Sequence, residues 1–110
     1  MPDRTTQSHQ LFASQARTAD ANSESFSVSD KSSAVVMLDV TAVSSVVANI
    51  HFEHSHNGTD WFVHPDGNIS RITSIQKVVR HLDNLASNVR AVLTVSGTSI
   101  TFSLVLDAKN

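Results

Sequence analysis

Ser55-His56-Asn57-Gly58-Thr59-Asp60-Trp61-Phe62 is a tight turn that runs into the aromatic start of a strand, and it separates two β-patterned runs. Asn-Gly is the strongest short hairpin signal, because both residues tolerate positive φ and so match the twist of the flanking strands. Upstream, residues 48–55 alternate, with Ile50 and Phe52 on one face and His51 and Glu53 on the other. A hairpin closed at Asn57 and Gly58, dry on one face, is the expectation. Trp61 is placed to fold over its end and cap the core with a large apolar area.

Outward from that hairpin the texture repeats as short strands at regular spacing. Phe26-Ser27-Val28-Ser29 alternates and reads as a first strand, while residues 34–43 are β-branched and nearly continuous, as in a strand buried on at least one face. Ser44-Ser45-Val46-Val47 reads as a short link into the hairpin strand. Pro65-Asp66-Gly67-Asn68 is a second turn, Pro presetting φ and Gly supplying the positive-φ position. Ile69, Ile72, Ile75, Val78, Val79, Leu82 and Leu85 fall at spacings that also fit one face of a helix. The β-branched content, Thr73 and Ser74, and the lack of a cap favour two strands instead, over 70–74 and 77–82. Residues 88–95 and 100–106, separated by Ser96-Gly97-Thr98-Ser99, read as a terminal hairpin with Phe102 on its inner face. The pattern predicts an all-β chain, a single antiparallel β-sandwich of Ig-like or jelly-roll outline, with Phe52 and Phe102 in its core.

A length of 110 residues bounds the chain to one domain, and 40% hydrophobic residues suffice for its core. Aromatic content of 5% with no Tyr leaves few anchors for sugars or bases, and a formal charge of −2 indicates neither a nucleic-acid stripe nor a membrane-surface patch. The absence of Cys removes thiolate sites and disulfides and suits assembly in a reducing cytoplasm. No run has the apolar length of a signal peptide or a membrane span, so the chain reads as soluble and unexported.

Composition shifts near residue 25. Residues 1–25 read as an extended polar arm and 26–110 as the sandwich domain, because the first segment has almost no large apolar side chains besides Leu11 and Phe12. Such an arm is either a loose tail or a grip ordered by a partner, with Leu11 and Phe12 as anchors and Arg17 beside them.

His54, His56 and His64 fall near one hairpin, and the i, i+2 spacing of the first two with Asp60 close by raises zinc as a possibility. The reading adopted is a polar strand end with no metal, since no outer-shell partner can be named from sequence. No nucleophile elbow, paired catalytic carboxylates or phosphate loop is visible, so neither a catalytic residue nor a cofactor is assigned. Arg90 alternates outward, where a sheet-surface pair with Asp39 or Glu53 is expected; Arg71 and Arg80 fall on outer faces, open to intersubunit ion pairs.

Leu38-Asp39-Val40-Thr41-Ala42-Val43-Ser44, the turn Ser55-His56-Asn57-Gly58-Thr59-Asp60-Trp61, the run from Asn88 through Arg90 to Ser99, and Phe102-Ser103-Leu104-Val105-Leu106 together resemble a group of small tailed-phage and prophage virion proteins. The match covers residues 34–107. It departs from the group's pattern at Ser44-Ser45-Val46, which lacks the usual glycine, and at Asn57, which stands for the usual aspartate. The resemblance implies a β-sandwich of the head or neck region: a non-enzymatic capsid decoration or minor capsid protein in the virion. Its partners would be the major capsid protein and neighbouring subunits, as a homo-oligomer or symmetric array, with no nucleic acid and no membrane. The tryptophan turn is also seen in discoidin-like carbohydrate-binding modules, which keeps a host-attachment module as the alternative and a neck or tail component as a third reading.

Overall fold

Two long antiparallel strands, β4 (Ser33–Ser55) and β8 (Asn88–Lys109), organise the molecule. In the computed structural model, which describes residues 6–28 and 31–109, they pair from Ser33 opposite Lys109 to Ser55 opposite Asn88. Both bend midway, and each half collects its own neighbours. Beside the first half of β4 and the last half of β8 lie β7 (Gln76–Asp83) and β1 (Thr6–Arg17), giving the layer β1-β8-β4-β7. The other halves hold β2 (Ala21–Asn22) and β3 (Phe26–Ser27) on β8, and β5 (Phe62–Val63) and β6 (Ile69–Ile72) on β4. The result is one hydrogen-bonded sheet folded on itself into a two-layer β-sandwich, its strands changing layer at a corner.

The phase of burial shows how the corner is made. Ala34, Val36, Leu38 and Val40 point inward on β4, and beyond an extra residue between Val40 and Ala42 and a positive φ at Ser45 the inward residues are Val46, Ala48, Ile50 and Phe52, so both halves bury even-numbered positions. On β8 the buried residues pass from Val89, Ala91 and Leu93 to Ile100, Phe102, Leu104, Leu106 and Ala108, an odd-to-even switch across Ser96–Ser99. Because side chains alternate with a period of two, such a switch requires a residue outside the β region. Gly97 supplies it with φ 122°. The layers meet where Leu82 of β7 and Phe52 of β4 both lie against Gly67, and at one edge where the His9 and Phe26 rings stack 4.4 Å apart.

Three expectations are corrected here. The terminal hairpin does not exist: Ser96-Gly97-Thr98-Ser99 is a bend within β8, which never reverses because β4 follows it through the corner residue by residue. Likewise Ser44-Ser45-Val46-Val47 is the bend of a continuous β4. The polar arm is in large part β1, an edge strand of the sandwich running antiparallel to residues 100–109 of β8. Its outward side chains Ser8, Gln10, Ser14 and Gln15 are exposed, so its composition imitates a loose tail. Register shifts on either side of Phe12 let the consecutive Leu11 and Phe12 both turn inward, to 5% and 3% exposure, and Phe12 meets Phe102 edge to face at 5.4 Å. Residues 69–85 form β6 and β7, with Ile72 and Leu82 buried.

Candidate functional site

The outer face of the second layer carries the densest arrangement of functional groups. Arg90 on β8 stands opposite Glu53 on β4, and its Nε and Nη2 donate to Glu53 Oε1 at 2.8 and 2.6 Å. The other carboxylate oxygen lies 3.6 Å from His51 Nε2. Val63 pairs with Glu53 and Phe62 with His54, so the two-residue period places Trp61 on the outer face with Val63. There its ring lies 4.3 Å from the Arg90 guanidinium carbon, a cation–π contact. The sheet-surface partner of Arg90 is thus Glu53 rather than Asp39. Trp61 as a cap over the core is corrected: it is half-buried, outside the core cluster, and packed on a guanidinium. The face of Trp61 is set by the pairing of Glu53 with Val63, a register that depends on the length of the intervening loop and that alternation in the chain does not announce.

Alongside this strip, on the side of His51 and Val63, an open recess of about 320 Å³ is lined by Asn49, His51, Val63, Asn68, Ile69 and Ser70. Asn49 Oδ1 accepts the Arg71 N–H at 2.8 Å, which fixes the side chain at the recess wall. Arg71 and Arg80 are themselves exposed.

Asn57 and Gly58 organise the loop that carries Trp61. Ser55 Oγ accepts from Gly58 N at 2.8 Å, while Asn57 Oδ1 accepts from Thr59 N and Asp60 N at 3.0 and 2.9 Å, an Asx turn that leaves Gly58 at φ 80°. The loop spans 56–61, wider than a two-residue Asn-Gly turn, because strand pairing resumes only at Phe62.

The structure brings His54 and His64 together and leaves His56 exposed on the loop. His64 is buried; its Nε2 donates to the Asp83 carbonyl at 2.6 Å and its Nδ1 accepts the Asp66 N–H at 3.0 Å, which defines a neutral tautomer. His54 Nδ1 accepts the Ala86 N–H at 3.2 Å, with the two rings 4.7 Å apart. Among the described residues, no group of three or more His, Cys, Asp or Glu is arranged to hold a metal ion.

Burial holds the His54 imidazole below its ordinary value of 6.5. The unfolded chain accepts this proton near that pH and the folded chain resists it. Stability from His54 is therefore complete above pH 6.5 and is lost as pH falls through the lower folded value. The thermal midpoint is expected to drop as pH falls below 6.5, and His54→Asn, which keeps an acceptor for Ala86 N, to flatten that drop. An identical drop in the variant would show that other groups cause it.

The outer face of the first layer is different in kind. Val79, Met37 and Val105 form one cross-strand row ending at Gln10, with Val79 53% and Met37 38% exposed. The neighbouring rows are Lys77, Asp39 and Ser103 on one side, all polar, and His81, Val35, Asp107 and Ser8 on the other, polar apart from Val35, where the Ser8 hydroxyl donates to Asp107. Of the residues expected to grip a partner, Leu11 and Phe12 lie in the core. Arg17 covers Phe12 and Phe102, its guanidinium carbon 4.6 and 5.7 Å from their rings, and its Nη2 donates to the Ala13 carbonyl.

No protein-family model matches the sequence, and no curated protein matches it. Solved structures do share the fold. The SPBc2 prophage-derived protein YomS superposes with a TM-score of 0.63 at 16% identity, over 97% of this chain and 96% of that one. A chain of infectious bursal disease virus, Gx strain, gives 0.59 at 8% identity, over 97% of this chain and 32% of its own length. The N-terminal cellulose-binding domain of Cellulomonas fimi β-1,4-glucanase C gives 0.51 at 12% identity, over 94% of this chain and 76% of that one. At these identities the likeness establishes the fold alone, an antiparallel β-sandwich.

Proposed function

We propose that the chain is a non-enzymatic structural subunit of a virus particle, a capsid decoration or minor capsid protein that docks on the major capsid shell in many symmetric copies. The observation that carries this reading is the apolar row Val79-Met37-Val105 on the outer face of the first layer, bordered by charged and polar rows. An apolar centre with a polar rim is the anatomy of a protein interface, and repetition over a shell turns a weak contact into a firm one. The likeness to a prophage protein over nearly the whole of both chains supports the same reading. The docking surface proposed here is a sheet face, in place of an N-terminal arm.

Mass spectrometry of purified particles of the encoding virus, with copy counting, tests it. The protein is expected in the particle at a copy number that scales with the shell, whereas a small ring-sized number would assign it to the neck or tail and overturn the shell assignment. Met37→Glu with Val79→Lys changes exposed positions only, so the variant is expected to fold normally and to fall in incorporation by about tenfold or more. Undiminished incorporation would remove this face from the interface, and absence of the protein from particles would overturn the reading altogether.

A further inference from the structure

We propose that the outer face of the second layer binds a neutral saccharide chain, with Trp61 as the stacking platform and Arg90, Glu53, His51 and the recess beside them as its hydrogen-bonding groups. This goes beyond the shell role and stands on different residues.

Four of the five phenylalanines, Phe12, Phe26, Phe52 and Phe102, belong to the core or pack against it, yet the single tryptophan does not. An indole offers a broad apolar surface that a globular domain ordinarily buries. Here it is held on a sheet face by a guanidinium that is itself held by Glu53, so its orientation is set before any ligand arrives. Pyranose rings present a flat patch of C–H groups that stacks on such a platform.

Charge narrows the ligand class. Glu53 neutralises Arg90 through two hydrogen bonds, and the chain carries a formal charge of −2, so the strip has no excess of positive charge to attract phosphates or uronates. A nucleobase would stack equally well, but its backbone would not be welcomed. What remains at the strip is an Arg90 Nη1 donor set beside a Glu53 Oε2 acceptor, with His51 next in line. Vicinal hydroxyls, each donor and acceptor at once, match that alternation. The recess continues the strip with the amides of Asn49 and Asn68 and the hydroxyl of Ser70, and its volume of about 320 Å³ lies at the small end of ligand sites, suited to an end or branch of a chain.

Trp61 is the only tryptophan, so its emission reports on the site directly. Titration of the full chain with cellohexaose, chitohexaose and maltohexaose to about 10 mM is expected to give a saturable emission change with at least one of them. For that sugar, calorimetry is expected to show about tenfold or greater loss of affinity in Trp61→Ala and a smaller loss in Trp61→Phe, with His51→Ala as a second variant that leaves the core untouched. Circular dichroism of each variant is expected to match the parent. Silence with all three sugars, or binding that survives Trp61→Ala, would overturn the proposal. Neither result bears on incorporation into particles, so the two readings fail separately.

Discussion

Gly97→Ala is expected to cost about 3–5 kcal/mol of folding stability, a large share of the roughly 5–15 kcal/mol that holds a domain of this size together. Two effects combine. The backbone there sits at φ 122°, where an L side chain is strained by about 1–3 kcal/mol. In addition, a Cβ on Gly97 would stand 2.0 Å from the Ser45 carbonyl oxygen and 2.8 Å from the Val46 Cα. Both obstacles are backbone of the paired strand, at the residues where β4 itself bends, so neither can swing aside as a side-chain tip would. Relief requires the corner to open, and every inward residue beyond it depends on that corner for its phase.

Gly58 provides the control. It also has positive φ, at 80°, but a methyl carbon added there would have Asn88 Nδ2 as its nearest neighbour, at 3.9 Å, so Gly58→Ala carries the conformational cost alone, about 1 kcal/mol. Urea denaturation of both variants separates the two effects, with a lower midpoint and unchanged slope expected for each. A Gly97→Ala protein within about 1 kcal/mol of the parent would mean that the two long strands do not turn their corner in this way.

That corner also marks where the sequence stops being legible. Alternation identifies the buried faces correctly at Ile50 and Phe52 and at Phe102, Leu104 and Leu106, because each lies in a stretch whose neighbours keep one phase, whereas the nearly continuous apolar run over residues 34–43 announces burial without saying which face is inward. A change of phase looks the same in sequence whether the chain reverses or bends. Ser96-Gly97-Thr98-Ser99 has the composition of a hairpin turn and performs as a bend, since the decision belongs to β4, some fifty residues away. An acidic partner for Arg90 was readable, as Asp39 or Glu53, because all three alternate outward, but the choice of Glu53 belongs to the register of β4 on β8. The position of Trp61 was not, because it depends on how many loop residues intervene before β5 regains its register.

The strand with the weakest signal makes the other large prediction. Phe12→Ala is expected to destabilise the protein by about 3–5 kcal/mol, the range for removing a buried phenyl ring. Phe12 is 3% exposed, meets Phe102 edge to face and is roofed by Arg17, so its loss leaves a cavity against the centre of β8 that the paired strands cannot collapse to fill. Ser14→Ala on the outward side of the same strand is expected to stay within about 0.5 kcal/mol, which distinguishes a packed edge strand from a tail that is insensitive everywhere. Deleting residues 1–17 goes further: it uncovers Phe102, Leu104 and Leu106 along one side and leaves residues 100–109 of β8 as an unprotected edge. The truncated protein is expected to lose its cooperative unfolding transition or to aggregate. A deletion that unfolds at the parent's urea midpoint would show that β1 is dispensable and return the first residues to the role of a free arm.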